Sequence, residues 1–323
     1  MKKKNKSFWA GIGLGLGAAG VLGARHFLSK TLVNFALDRE MPKQPIATKK
    51  RVNPKKNPII SSDEIKVLSE NLQSNVSETV EITAYDGINL VGHIRHCENP
   101  KRIIVAMHGW RSSWDNDFGG ITDFWHENNC TVLFAEQRGQ NASGGDYMGF
   151  GIIERYDCLE WVKFIDEKFN SRLPIYLVGI SMGASTVLMT SALDLPASVR
   201  GIVADCGFTS PKDIWKHVVE KNFHIPYGFI SSNIDKAYKE IADAESNYSC
   251  EDALKDCKVP VWFIHGTADD FVPIEMTYRN YLACPTEKEL MVVPGADHGT
   301  SYLHEKEKYH EIAKRFWAKC ESK

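Results

Sequence analysis

Residues 179–183 read G-I-S-M-G, so Ser181 stands between two glycines, each two positions away. The pattern follows the apolar run 174–178 and precedes a helix-prone run over 184–193. A serine on a sharp turn from a strand into a helix exposes its hydroxyl, and the helix N terminus stabilises negative charge beside it. Glycines are expected on both sides because a Cβ there would collide with the neighbouring strand and helix. The pattern predicts that Ser181 is a nucleophile.

A serine hydroxyl is a weak nucleophile, and it needs a base whose tautomer is held by a third group. Loops after parallel strands gather at one edge of a sheet, so the partners of Ser181 are sought just beyond later strands. The predicted strand 259–265 leads into Asp269, and the predicted strand 289–293 leads into His298. We therefore predict that His298 is the base and that Asp269 is the acid that orients it.

Three other aspartates compete with Asp269 for the role of the acid. Asp270 and Asp297 lie in the same two loops, and Asp205 ends the predicted strand 201–205 that follows the helix after the serine. Asp269 is preferred, and the sequence leaves the three alternatives open.

The same chemistry needs hydrogen-bond donors for the oxyanion that develops on the substrate. One predicted donor is the backbone N–H of Met182, the residue after the nucleophile. The second is expected in the loop 108–111, and we predict the N–H of Trp110, with Gly109 allowing close approach of the backbone.

The elements that must position these groups are short apolar runs that alternate with helix-prone stretches, which predicts a mostly parallel central sheet flanked by helices. No strand is predicted between Asp205 and Val259, and we predict a small helical cap insertion there, over 209–257. Because it follows the strand after the serine turn, the insertion is expected to sit over the site. Its aromatic residues suit an apolar substrate pocket, but most of them are expected to pack the cap down instead. The predicted strands are 80–84, 89–95, 102–107, 131–136, 175–178, 201–205, 259–265 and 289–293, and the predicted cap helices are 212–222, 232–242 and 250–255.

From about residue 80 to residue 317 the chain resembles the α/β-hydrolases, and it is similar to their small-capped esterase and prolyl oligopeptidase-like branches. The matching motifs are HGW, QRGQNASGG, GISMG, HGTADDFVP and GADHG, and the order Ser, Asp, His agrees with them. The resemblance implies hydrolysis through an acyl-serine intermediate, with no metal and no organic cofactor. Family members usually carry D-x-R-G-H-G where residues 136–141 read E-Q-R-G-Q-N, a departure that concerns substrate fit rather than catalysis.

The composition is that of an ordinary globular protein. The net charge of −2 argues against nucleic acid as a partner. The eight cysteines form no C-x-x-C pair and no metal-ligand spacing with histidine, so reduced structural thiols are expected.

The N terminus has a different character. Lys2, Lys3, Lys4 and Lys6 precede an uncharged run over 7–24, which predicts a signal peptide or a signal anchor. No A-x-A cleavage site or lipid-acceptor cysteine follows, so an uncleaved transmembrane helix is preferred. The early lysines favour a cytoplasmic N terminus and an exported catalytic domain, although basic residues also follow the span and free cysteines are uncommon outside a cell.

Three parts are therefore predicted: a membrane anchor over 1–28, a linker with short helices over 29–78, and a hydrolase domain over 79–323. In the second part, Ser61 and Glu64 form a capping box that opens a helix. The predicted activity is that of a serine esterase on a small-molecule or lipid ester, because nothing in the sequence resembles the propeller that restricts access to peptidases of this kind. The alternatives are a serine peptidase, an acyltransferase and a non-catalytic binding protein on the same fold.

Overall fold

The computed structural model describes residues 6–40 and 60–322, with side chains from residue 22 onward. Within these residues the chain forms an eight-stranded sheet in the order β1-β2-β4-β3-β5-β6-β7-β8. Strand β2 pairs antiparallel with β1 and β4, and the remaining neighbours are parallel. The strands are β1 (Glu78–Thr83), β2 (Asn89–Arg95), β3 (Arg102–Met107), β4 (Cys130–Ala135), β5 (Ile175–Ile180), β6 (Val199–Asp205), β7 (Val261–Gly266) and β8 (Lys288–Val293).

All eight predicted strands are present, and their ends differ from the prediction by a few residues at most. Every residue of β3 and β4 is buried, because helices cover both faces of this part of the sheet. Strands buried on both faces appear in a sequence as continuous apolar runs. This explains why the sequence predicts β3 and β4 although apolar and polar residues do not alternate along them.

The helices described by the structure lie on both faces of this sheet. They are α1 (Lys6–Leu37), α2 (Ser62–Ser74), α3 (Trp114–Phe118), α4 (Thr122–Glu127), α5 (Glu154–Lys168), α6 (Met182–Thr190), α7 (Pro211–Val218), α8 (Ser231–Ala242), α9 (Cys250–Leu254), α10 (Ile274–Ala283), α11 (Ser301–His304) and α12 (Lys306–Glu321). The core is divided by the sheet into two clusters. Alternate residues of β3 enter different clusters: Val105 packs with α5 and α6 residues, whereas Ala106 packs with α3, α4 and α12 residues.

The N-terminal helix does not stop at the predicted boundary after residue 28. Helix α1 continues to Leu37, and its last three turns pack against the hydrolase domain. Leu32, Val33 and Leu37 are buried in the core, and Ser29 Oγ lies 3.5 Å from the carbonyl of Ile230. The helical stretch predicted after residue 28 is thus part of the folded body, whereas residues 41–59 of the predicted linker lie outside the described residues.

The transmembrane prediction finds no support in the described part of the chain. No helix there combines the length and the apolar character that crossing a bilayer requires. The predicted span over 7–24 falls mainly on residues whose side chains lie outside that part.

The insertion over 209–257 is helical, as predicted, and contains α7, α8 and α9. Its aromatic residues pack into the body: the Trp215 ring lies edge-on to Phe150 and Tyr238, with centroids 5.3 and 5.2 Å away. Helix α8 lies beside α1, where Arg25 Nη2 donates to Ser232 Oγ at 2.5 Å. Trp215 therefore packs the insertion onto the body, which is the role predicted for most of its aromatic residues.

Candidate active site

Ser181 stands on the turn between β5 and α6, with φ at 56° and ψ at −117°. Non-glycine residues rarely adopt a positive φ, and such strain persists only where the surroundings fix it. Here the Ser181 N–H donates to the Asp205 carbonyl at 2.9 Å, and its own carbonyl accepts from the Ser185 N–H at 3.1 Å. The turn holds the side chain at the carboxyl edge of the sheet, just before the N terminus of α6.

The two glycines of the turn are required by packing, as the sequence predicts. A Cβ on Gly183 would lie 1.9 Å from the carbonyl oxygen of Met107 on β3, and a Cβ on Gly179 would lie 2.2 Å from the carbonyl oxygen of Gly183. Both distances are far inside van der Waals contact. Helix α6 can approach the sheet this closely only because neither residue has a side chain.

His298 lies against the serine on the loop that follows β8. Its Nε2 is 2.8 Å from Ser181 Oγ, and its Nδ1 is 2.7 Å from Asp269 Oδ2. A carboxylate only accepts, so Nδ1 carries the proton and Nε2 is left to accept from the serine hydroxyl. The arrangement presents the imidazole in the tautomer that can take the serine proton.

The Asp269 carboxylate is fully hydrogen-bonded. Oδ1 accepts from the N–H groups of Phe271 and Val272, both at 2.9 Å, while Oδ2 faces His298. Burial by itself would raise the pKa of this carboxyl, but the hydrogen bonds from His265 and His298 hold the pKa well below its usual range. Asp269 therefore stays ionised beside the imidazole.

The three rival aspartates have other partners. Asp270 points to Lys221 Nζ at 3.5 Å with a largely exposed side chain, and Asp297 Oδ1 accepts from the backbone N–H of His298. Asp205 Oδ1 accepts from Ser301 Oγ at 2.9 Å, and burial raises the pKa of Asp205 to about 6. Within the described residues, Asp269 is the one of these four aspartates that bonds the His298 ring.

A second histidine at this site was missed by the sequence analysis. His265 is fully buried, and its Nε2 lies 3.2 Å from Asp269 Oδ2 and 2.9 Å from the Val272 carbonyl oxygen. Both neighbours are acceptors, so Nε2 carries the proton, and Nδ1 accepts from the Thr277 hydroxyl at 2.6 Å. His265 thus helps to hold in place Asp269 Oδ2, the oxygen that faces His298. Its position at the end of β7, four residues before Asp269, was the available signal.

The loop after β3 brings Trp110 to the same place. A Cβ on Gly109 would lie 3.4 Å from Ser181 Cβ, so the backbone passes directly beside the serine. The Gly109 N–H donates to Asp117 Oδ2 at 2.7 Å and the Arg111 N–H donates to Gln140 Oε1 at 2.6 Å. Between these two engaged amides, the N–H of Trp110 has no hydrogen-bond partner among the described residues.

The C-terminal end of α1 is tied to this loop. Arg111 donates to the carbonyl oxygens of Phe35 and Asp38 at 2.9 and 2.6 Å, and Trp110 Nε1 donates to that of Ala36 at 2.8 Å. The last carbonyls of a helix have no partner within the helix, and Arg111 satisfies two of them. Since Gln140 holds the Arg111 amide from the other side, the unusual Q-R-G-Q-N segment serves to fix this loop.

A cavity of about 310 Å3 opens at Ser181 and His298. It runs between the loop after β3 and the segment 299–303, and most of its walls are apolar. All of its lining residues lie outside 209–257, so the insertion that was predicted to sit over the site does not line this cavity. The insertion contacts the loop that carries Asp269, where Lys221 Nζ donates to the Asp270 carbonyl at 2.7 Å.

Cys206 is a further neighbour of the three side chains. Its Sγ and the nearest ligand atoms of Asp269 and His298 lie within 4.8 Å of one another. Burial raises the pKa of the Cys206 thiol well above its ordinary value, so it remains a neutral, buried neighbour of the three side chains. All eight cysteines of the chain are free thiols.

This architecture is the α/β-hydrolase fold, and known proteins share it. An esterase of Pyrococcus furiosus, Pf2001, superposes with a TM-score of 0.62 over 80% of this chain and 95% of its own, at 22% identity. Est1E of Butyrivibrio proteoclasticus, solved with ferulic acid bound, has a TM-score of 0.60 over 76% of this chain and 100% of its own, at 19% identity.

In sequence, the chain is 26% identical to the uncharacterized protein YqkD of Bacillus subtilis over 225 residues, which cover 69% of this chain and 73% of YqkD. Residues 116–323 match the prolyl oligopeptidase family, which is more than half of the chain. The protein is therefore a serine hydrolase of the α/β-hydrolase fold. It belongs to the prolyl oligopeptidase family.

Proposed function

We propose that the protein is an esterase that cleaves a carboxylic ester through an acyl intermediate on Ser181. The observation that carries this proposal is the continuous hydrogen-bonded chain from Ser181 through His298 to Asp269 at the mouth of an apolar cavity. A neutral ester with an apolar substituent suits such a cavity, since a charged group would lose its hydration there. That the structural neighbours include the esterase Pf2001 also supports it.

In the proposed reaction, His298 Nε2 takes the proton of Ser181 as the hydroxyl oxygen attacks the ester carbonyl. The N–H groups of Met182 and Trp110 stabilise the oxyanion, and Asp269 stabilises the imidazolium. The proton then passes from Nε2 to the leaving alkoxide, and the acyl-serine remains. A water molecule activated by the same nitrogen releases the acid and restores the serine.

A fluorophosphonate probe, which reacts with activated serines, tests the proposal together with matched ester and anilide substrates. Labelling of the wild type, no labelling of Ser181→Ala, and faster release of nitrophenol from esters than of nitroaniline from the matching amides are expected. The absence of labelling in the folded wild type would overturn the proposal and favour the binding-protein alternative.

A serine peptidase is the second candidate, because the family to which the chain belongs is named for an oligopeptidase. The same substrates separate the two activities, since cleavage of short peptide anilides without ester preference would favour the peptidase.

Replacing Arg111 by alanine is expected to lower kcat by up to about 100-fold with a smaller change in KM, because the loop that carries the proposed Trp110 donor would lose the guanidinium contacts to Phe35 and Asp38. Steady-state kinetics on a p-nitrophenyl ester measures this. The control is Arg172→Ala, an exposed arginine elsewhere on the surface. If Arg111→Ala had wild-type kcat, the guanidinium contacts to the end of α1 would not position the Trp110 N–H.

We further propose that the predicted anchor over 1–28, with its uncharged run over 7–24, attaches the protein to a membrane, with the catalytic domain on the extracytoplasmic side. The four lysines before the uncharged run over 7–24 support this orientation.

Two truncations are expected to behave differently. Deleting residues 2–21 is expected to release the protein from membranes and to preserve ester turnover. Deleting residues 2–40 also removes Leu32, Val33 and Leu37, each worth about 1.5–3 kcal/mol when buried, and is expected to lower the melting temperature and the activity. Membrane fractionation, thermal denaturation and turnover are the measurements. Equal stability of the two forms would show that α1 does not support the fold.

A further inference from the structure

Helix α2 forms one wall of the cavity that opens at Ser181. Ile60, at its approach, and Ile65 and Leu68, on its first turns, line the cavity, although the helix precedes both the first strand and the region matched to the family. The opposite wall is formed by Tyr302 and Leu303 on α11. The substrate cavity therefore depends on a segment that the sequence analysis assigned to the linker.

Several contacts fix α2 in this position. Leu72 is fully buried, and Gln73 Nε2 donates to Asp115 Oδ2 at 2.7 Å, beside a second hydrogen bond from Ser69 Oγ. A Cβ on Gly119 would lie 2.8 Å from the carbonyl of Leu68, so the helix rests directly on the backbone there. The capping box predicted at its start is formed, with the Ser61 N–H donating to Glu64 Oε2 at 2.8 Å.

The most deeply buried residues of the cavity lining are mainly apolar. Trp125, Val178, Val203 and Tyr309 line it, and each is at least nine-tenths buried. Besides Ser181 and His298, polar side chains of the lining include Ser112, Asn116, Asp117, Asp205 and Thr300, and all five are hydrogen-bonded within the protein. At about 30 Å3 for a group the size of a water molecule, the volume accommodates about ten heavy atoms.

We propose that this cavity binds the aliphatic chain of the ester and that α2 sets the longest chain it accepts. The inference rests on the proposed esterase function. A chain of up to about eight carbons fits between α2 and α11 with its carbonyl at Ser181, whereas a long-chain fatty ester has to displace α2.

The test measures kcat/KM for two series of esters: p-nitrophenyl esters from acetate to decanoate, and acetates of linear alcohols from ethyl to octyl. Leu68→Trp narrows the cavity, and Gly120→Ala adds a methyl group 3.2 Å from Leu303 Cδ2 with little other change. Each variant is expected to lower kcat/KM for the eight-carbon ester of one series, p-nitrophenyl octanoate or octyl acetate, by about tenfold or more relative to the shortest ester of that series. The reason is that a pocket that excludes methylene groups loses about this much. Leu68→Ala is expected to extend the accepted chain.

The matched control is Val67→Trp, one position earlier on α2 and 62% exposed, which is expected to leave the chain-length profile unchanged. A response in the p-nitrophenyl series places the acyl chain in the cavity, and a response in the alkyl acetates places the alcohol there; either supports the inference. If the shortest esters are hydrolysed but neither series responds to the Leu68 and Gly120 variants, α2 does not set the chain length. If the wild type hydrolyses none of these esters, the result contradicts the esterase function itself.

Discussion

Ester turnover by Ser181→Ala is expected to fall by about 10^4- to 10^6-fold, to the residual rate that binding and oxyanion stabilisation provide. The expectation follows from the geometry, since Ser181 Oγ lies 2.8 Å from His298 Nε2 on a turn that tolerates no shift. The alanine removes one oxygen from a site that its neighbours already define, so folding is expected to be preserved.

His298→Ala is expected to cost about as much, and the double variant hardly more than either single one, because the two side chains act in one proton transfer. Steady-state kinetics at saturating ester, with thermal denaturation of each variant, measures both effects. Ser171→Ala, an exposed serine, is the control. Near-normal turnover by folded Ser181→Ala, or losses that multiply in the double variant, would contradict the shared proton path.

Asp269→Asn is expected to lower kcat by about 10^4-fold. The asparagine amide presents a donor where the carboxylate accepts from His298 Nδ1, which favours the tautomer that cannot take the serine proton. The same amide donor would also face the proton on His265 Nε2, so the hydrogen bond from His265 would be lost as well. Kinetics on a p-nitrophenyl ester measures the loss, and the melting temperature shows whether the fold is intact.

The matched variant is Asp205→Asn, which removes the charge of a buried neighbour but keeps an acceptor for Ser301. Its effect is expected to be small by comparison, because Asp205 bonds Ser301 and not the ring of His298. A severe loss in Asp205→Asn together with a mild one in Asp269→Asn would transfer the role of the acid to Asp205.

Sequence reasoning worked best where the signal is local. Strands β3 and β4 were found because strands buried on both faces are continuous apolar runs, and the turn around Ser181 was found because close packing there demands two glycines. The capping box of α2 was found because its two partners are three residues apart.

Sequence reasoning was less successful where a residue's contacts come from a distant part of the chain. The cap was expected over the site because of its place in the chain, and its aromatic residues were compatible both with a pocket wall and with packing, because composition does not show what an aromatic side chain contacts. In the folded chain Trp215 packs against Phe150 and Tyr238, and α2 borders the cavity instead. The boundary predicted after residue 28 likewise separates Leu32, Val33 and Leu37 from the hydrolase domain, although all three are buried against it. Their burial depends on the surface of that domain, which no local pattern in 29–40 reveals.

The sequence by itself determined the fold class and the positions of the serine, the histidine and a short set of aspartates, because each follows a strand that its own residues specify. Only the tertiary structure decided that Asp269 rather than Asp205 faces the imidazole, that His265 supports the acid, and that α2 closes the cavity. These outcomes depend on how distant elements pack against one another, and such packing is settled by the whole core and not by any single segment of the chain.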